Sequence, residues 1–117
     1  MALTVYGIRN CNTVKSALGW LDKKNVEFVF HDYKSMGISE SKLKEWCKQV
    51  GWESLVNKRG TTWRQLPADV QEGIKDQASA IALMKEKTSV IKRPLIESSG
   101  QVLALGFDED TYKKVFK

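Results

Sequence analysis

Leu3-Thr4-Val5-Tyr6-Gly7-Ile8, then residues 11–24, then Val26-Glu27-Phe28-Val29-Phe30 form the stretch whose reading decides the fold. The first run is apolar and rich in β-formers, so it reads as a buried strand. Arg9-Asn10 breaks it. From Cys11 the period changes: Val14, Ala17, Leu18 and Leu21 fall at i, i+3, i+4 and i+7, one apolar face of a helix. Lys23 and Lys24 sit in its last turn, where cations suit the helix dipole, and Asn25 supplies a left-handed stop. Residues 26–30 read as a second strand. Strand, helix and strand in this order make a βαβ unit, whose crossover is right-handed and whose strands are parallel.

Outward from this unit, Ser39 is placed to cap a helix ending near Val50. Leu43, Trp46, Cys47 and Val50 form its inner stripe and Gly51 its stop. Residues 52–87 carry two or three further helical segments. One opens near Pro67, and one runs from Asp76 to Lys87 with Ile81, Leu83 and Met84 among its apolar positions. Pro94-Leu95-Ile96-Glu97 and Gln101-Val102-Leu103-Ala104-Leu105, joined by Ser98-Ser99-Gly100, predict a hairpin. Asp108 caps a last helix whose inner face would hold Tyr112, Val115 and Phe116. The order is β-α-β, a helical block, then β-β-α. It predicts an α/β fold with helices covering a mixed four-stranded sheet. The expected organisation is a single domain over residues 1–117, with a helical insertion at about 36–88.

Apolar residues make up 42% of the chain and charged residues 28%, a balance that excludes disorder and coiled coil. No apolar run approaches the ~20 residues of a membrane helix, and the first residues show no secretory leader, so a cytoplasmic protein is expected. The net charge of +5 suits anionic ligands. Trp20, Trp46, Trp52 and Trp63 come with no nucleic-acid-binding motif, so they read as packing and nucleic acid is not expected as a partner. Two cysteines and one histidine make neither a disulfide framework nor a metal inventory. No bound metal, nucleotide or flavin is expected.

Cys11 is the sharpest chemical feature. It sits where a strand gives way to a helix, so its sulfur faces unpaired first-turn N–H groups and the positive end of the helix dipole. Both favour the thiolate, whereas a free thiol with pKa ~8.5 is only a few per cent ionised at neutral pH. Asn12 and Thr13 add polar groups beside it, and Lys15 adds a charge on the neighbouring turn. The competing reading is a buried cysteine serving as a small hydrophobe. Cys47, on an apolar helical stripe, reads as a core thiol. Position 14 is Val, so there is no Cys-x-x-Cys pair, and position 17 is Ala, so the Cys-x5-Arg phosphatase loop is missing too. A single thiol of this kind needs a second molecule to resolve its disulfide, with glutathione the obvious cytosolic choice. Arg59 lies in the polar stretch Asn57-Lys58-Arg59-Gly60-Thr61-Thr62, and Arg93 directly precedes Pro94. A surface arginine is the plain reading of each. His31, in Phe30-His31-Asp32-Tyr33, reads as a partly exposed residue at a strand end.

Residues 6–15 (Tyr-Gly-Ile-Arg-Asn-Cys-Asn-Thr-Val-Lys), Arg59-Gly60-Thr61-Thr62, Ile91-Lys92-Arg93-Pro94-Leu95 and Gly106-Phe107 occur in an order that resembles the ArsC/Spx family. The nearest resemblance is to its YffB-type branch of proposed glutathione-dependent thiol reductases. This implies a thioredoxin-like fold with a helical insertion, Cys11 as nucleophile and Pro94 as the cis-proline. It also implies an anion or glutathione site made from Asn12, Thr13, Lys15, Arg59, Arg93 and Pro94. Glutathione would be a co-substrate rather than a bound cofactor, the substrate an oxidised thiol or small oxyanion, and glutaredoxin a further partner. Arsenate reductases of the family use a cysteine and three arginines. Cys11, Arg59 and Arg93 match, while the third arginine position reads as Phe107 and Lys15 replaces another arginine. The Spx branch, which binds RNA polymerase, is the other functional class implied. Its Cys-x-x-Cys switch is missing here because Val14 occupies the second position.

Overall fold

The computed structural model describes residues 3–116. The chain divides into two compact units: residues up to Met36 together with those from Arg93 onward, and Gly37–Lys92 between them.

The first unit holds β1 (Leu3–Gly7), α1 (Asn12–Lys23), β2 (Phe28–Asp32), the short α2 (Tyr33–Met36), β3 (Leu95–Ser98), β4 (Gln101–Leu105) and α8 (Glu109–Val115). Its mixed sheet has the order β2-β1-β3-β4. β1 and β2 are parallel, Val5 opposite Phe30, while β3 runs antiparallel to both β1 and β4. This is the predicted β-α-β … β-β-α arrangement. The hairpin loop is Ser99-Gly100, both at positive φ (53° and 80°), as a two-residue turn matched to strand twist requires.

The first helix ends with a Schellman motif. Asn25 stands at φ 57°, its N–H donates to the Asp22 carbonyl, and the Val26 N–H reaches back to the Leu21 carbonyl at 3.0 Å. Val26 is therefore engaged in closing the helix, and β2 starts at Phe28 rather than at the expected Val26. Trp20, with Val14, Ala17 and Leu21, makes the buried face of α1, whereas Leu18 is only half-buried. The reason is tertiary: the Trp20 ring meets Tyr112 of α8 edge-on at 5.4 Å. Gly7 lets α1 approach β1, since a Cβ there would lie 2.9 Å from Val14 Cγ2.

Leu3, Val5, Ala17, Trp20, Leu21, Ile96, Ala104, Tyr112 and Phe116 form the core on the α1/α8 side of the sheet. Asp108 caps α8 as expected, but Val115 is 40% exposed and does not join Tyr112 and Phe116. A seven-residue helix offers one narrow inward stripe, and the ring of Tyr112 fills it, with Phe107 and Phe116 edge-on at 5.0 and 5.2 Å. The Tyr112 hydroxyl donates to the Gly106 carbonyl at 2.8 Å. Tyr112→Phe should leave that buried carbonyl unpaired and cost about 1–3 kcal/mol. Thermal unfolding followed by circular dichroism checks this, and a fall in Tm of several degrees is expected.

The second unit is helical: α3 (Glu40–Val50), α4 (Trp52–Leu55), α5 (Thr61–Arg64), α6 (Ala68–Gly73), α7 (Gln77–Glu86) and a 3-10 turn (Thr88–Val90). Ser39 caps α3 by accepting from the Lys42 N–H, and Gly51 ends it. Asp76 and Ser79 exchange the two hydrogen bonds of a capping box at the start of α7. The segment after α4 is tied down by Asn57 N–H to Val90 carbonyl and Lys92 N–H to Leu55 carbonyl, both 2.7 Å. Leu43, Trp46, Cys47, Leu55, Ala80, Ile81, Leu83 and Met84 are buried.

Candidate functional site

Cys11 occupies the N-cap of α1 in extended backbone (φ −135°, ψ 123°), and its carbonyl accepts the first-turn bond from the Lys15 N–H at 2.9 Å. The thiol is half-buried and free. Burial pushes its pKa up, but the Val14 N–H, the Arg93 side chain and the Thr13 N–H outweigh this and hold the thiol below its ordinary range. The sulfur faces these first-turn N–H groups without closing a formal capping hydrogen bond. Sulfur is a diffuse, weak acceptor until it ionises, so the contacts favour the thiolate more than the thiol.

The structure thus brings together Cys11, Thr13 and Arg93. Asn12 and Lys15 stand exposed on the first turn beside this group. The Val14 N–H, not that of Asn12, is the leading backbone contact, and Lys15 is exposed and absent from the groups acting on the thiol. An N-cap side chain reaches the second and third N–H groups of its helix, and the first lies off to the side. Val14 was missed because its apolar side chain, packed on Gly7, drew the reading to the core.

Arg93 enters the site through the loop before β3. The Arg93–Pro94 bond is cis. The Pro94 carbonyl accepts from the Gly106 N–H at 2.7 Å, which fixes the loop to the far end of the hairpin. Phe107 follows directly and packs on Tyr112, so this position serves the core rather than an anion. Arg59 belongs to the helical unit, in the loop between α4 and α5. Its N–H donates to Asn57 Oδ1 at 3.2 Å, and its carbonyl accepts from the Arg64 guanidinium at 2.6 Å. Next to it, Lys58 lies over the rings of Trp52 and Trp63 at 5.9 and 5.4 Å.

Cys47 is the opposite of Cys11. It is buried on α3, and burial alone raises its thiol pKa. Two further residues of the first unit went unread in the sequence. Tyr6 and Glu97 are buried and joined by a 2.6 Å hydrogen bond. The available signal was a lone carboxylate at an inward position of an apolar strand. Among the described residues no cluster of three or more His, Cys, Asp or Glu could hold a metal, and no helix is long and apolar enough to cross a membrane.

The fold is shared with known proteins. A solved structure of a YffB protein is 40% identical, covers 98% of this chain and 99% of its own, and superposes with a TM-score of 0.91. An arsenate reductase (ArsC) related protein from Brucella melitensis is 43% identical, with coverage of 100% and 96% and a TM-score of 0.79. The global transcriptional regulator Spx of Streptococcus agalactiae is 26% identical over 110 residues, 92% of this chain and 78% of the regulator. The ArsC family profile matches residues 6–115. The chain belongs to the ArsC family.

Proposed function

We propose that the protein is a thiol reductase that works through Cys11 alone, with glutathione as the resolving thiol. One observation carries the reading: a half-exposed thiol at the start of a twelve-residue helix, held towards its thiolate by first-turn N–H groups and by Arg93. The Cys11 thiolate attacks one sulfur of a substrate disulfide. A Cys11–substrate disulfide forms, and the other half leaves as a thiolate that takes up a proton. A glutathione thiolate then attacks the substrate sulfur, the Cys11 thiolate is released, and the substrate departs as its glutathione mixed disulfide. A second glutathione thiolate then attacks the glutathione sulfur of that mixed disulfide, freeing the substrate thiol and leaving oxidised glutathione, so two glutathione thiols supply the two electrons that reduce the substrate disulfide. Arg93 serves as the cation for a glutathione carboxylate, whose geometry matches a guanidinium fork.

The pH behaviour follows from the lowered thiol pKa. Glutathionylation by oxidised glutathione should persist below the pH at which an ordinary thiol is protonated, then fall as pH drops through the Cys11 pKa. The sign for stability is the same. A group whose pKa is lowered on folding stabilises the fold above its unfolded value, and that contribution is lost as pH falls through the folded one. Arg93→Gln should shift the fall in reactivity to higher pH and raise the KM for glutathione about tenfold or more, the scale of a lost charged hydrogen bond. Adduct formation by intact mass across pH 5 to 9, with steady-state turnover, checks both. An unchanged profile and KM would remove Arg93 from the site.

The likeness to global transcriptional regulators named Spx favours a second reading, in which the chain is a transcriptional regulator with RNA polymerase as its partner. The two separate cleanly. A reductase turns over glutathione with a disulfide substrate, whereas a regulator retains an RNA polymerase subunit in a pull-down and shows no turnover. Arsenate reduction should be weak, since Phe107 stands where the third arginine would serve.

A further inference from the structure

The end of α1 away from Cys11 carries a feature that the thiol chemistry does not use. At ~1.5 Å of rise per residue, Trp20 and Lys24 stand roughly 14–20 Å along the helix axis from the thiol. A hollow of about 280 Å³ opens there, lined by Trp20 and Lys24 from the end of α1 and by Lys113 and Phe116 from the end of α8. Its walls are aromatic: the Trp20 and Phe116 rings lie 6.4 Å apart, tilted by 55°. Its charges are both positive. The Lys24 ammonium lies over the Trp20 ring at 5.9 Å. Neither lysine has an ion-pair partner among the described residues.

The negative groups expected at a helix end are already engaged. The Trp20 carbonyl accepts from the Lys24 N–H, the Leu21 carbonyl from Val26 and the Asp22 carbonyl from Asn25, while in α8 the Tyr112 carbonyl accepts from the Phe116 N–H at 2.8 Å. Asp22, the acid nearest to Lys24 in sequence, lines a different hollow with Glu27 and Phe28. One wall also carries an unmet donor. The Trp20 indole N–H is buried and has no hydrogen-bond partner among the described residues, whereas a buried polar group is nearly always paired. Aromatic walls, two unpaired ammonium groups and a free N–H suit one kind of ligand, a flat apolar body with an anionic head. The volume sets its size. The hollow lies at the lower edge of the ~300–1,000 Å³ range of ligand pockets, room for one ring and a short chain.

We propose that this hollow binds a small aromatic carboxylate, its ring against Trp20 and Phe116 and its carboxylate between Lys24 and Lys113. Ring contacts of offset or edge-on geometry hold the apolar body. Charge-assisted hydrogen bonds from the two ammonium groups hold the head. The cations here are lysines on flexible stems, with no guanidinium fork and no helix N-terminus beside them, so a carboxylate fits better than a phosphate. The assignment is independent of the redox reading, since the hollow and Cys11 lie at opposite ends of α1.

The test is a titration of the isotope-labelled full chain with phenylpropionate at neutral pH, followed by the backbone and indole N–H resonances. Saturable shifts centred on Trp20, Lys24, Lys113 and Phe116 are expected, the Trp20 indole N–H among them, with a Kd of about 1 mM or tighter for a ligand of this size. Lys24→Gln and Lys113→Gln should each weaken binding about threefold, the scale of one exposed ion pair. Both side chains are exposed, so these variants keep the fold. Phenylpropanol, which keeps the ring and lacks the charge, should bind about tenfold more weakly because both pairs are lost. Cys11→Ser should bind the acid as the wild type does. Absence of saturable shifts overturns the proposal, as does equal binding of acid and alcohol or wild-type affinity in both lysine variants. Shifts centred on Cys11 and Arg93, lost in Cys11→Ser, would place the carboxylate at the thiol instead and overturn it too, while leaving the thiol site standing.

Discussion

Cys11→Ser is expected to abolish the glutathione adduct and disulfide turnover, while Cys47→Ala should leave both near the wild-type level. The size of the first effect comes from chemistry rather than fold. A serine hydroxyl does not exchange with a disulfide, and position 14 is Val, so no neighbouring thiol takes over. Its fold cost is small, because the half-exposed N-cap accepts serine well. The second half of the result comes from burial, which keeps Cys47 inert by raising its thiol pKa. Alanine rather than serine is the right probe there, since a hydroxyl would be buried on the apolar stripe of α3. Intact mass after brief exposure to oxidised glutathione reads both variants. An adduct that survives in Cys11→Ser and disappears in Cys47→Ala would reverse the assignment.

Trp46→Ala is expected to cost about 3–5 kcal/mol, against a total stability of about 5–15 kcal/mol for a domain of ordinary size. Trp46 is 0% exposed and stands between Leu43 and Cys47 on the buried face of α3. Removing the indole leaves a cavity that a short helix and its neighbours fill only in part. Urea unfolding followed by helical circular dichroism gives the number, and a loss below about 1 kcal/mol would mean that the site collapses without penalty. Trp52, half-buried beside Lys58, is the comparison: Trp52→Ala should cost clearly less.

Local signals explain how much of this could be read from the chain. The βαβ unit was legible because a run of β-formers gives way to a 3.6-residue apolar period at Cys11 and β-formers return after Asn25. The two caps Ser39 and Asp108 and the Ser99-Gly100 turn were legible for the same reason, each being satisfied within three residues. The start of β2 was displaced because Asn25 closes a Schellman motif that takes up the next residue. Trp20 replaced Leu18 in the core because its partner, Tyr112, lies on another helix far along the chain. Cys11 was legible from its place at a strand–helix junction. Arg93 was legible only through family resemblance, since nothing local distinguishes it from a surface arginine. Glu97 left only the faint signal of a lone carboxylate in an apolar strand. Its donor is 91 residues away, and a carboxylate near a hairpin turn reads as solvated until the opposing strand is known.

The sheet order also governs the sequence in which the protein can assemble. β1 is synthesised first, yet it gains its second neighbour only when Ile96 arrives opposite Val5. All of Gly37–Lys92 leaves the ribosome in between. A nascent chain of that length holds β1, α1 and β2 with one edge of β1 bare, while the helical unit already has every residue it needs. A bare apolar strand edge is a template for wrong pairing with other chains. The tight Ser99-Gly100 turn shortens that interval, because β3 and β4 can pair with each other within microseconds of being made and close the edge as one piece.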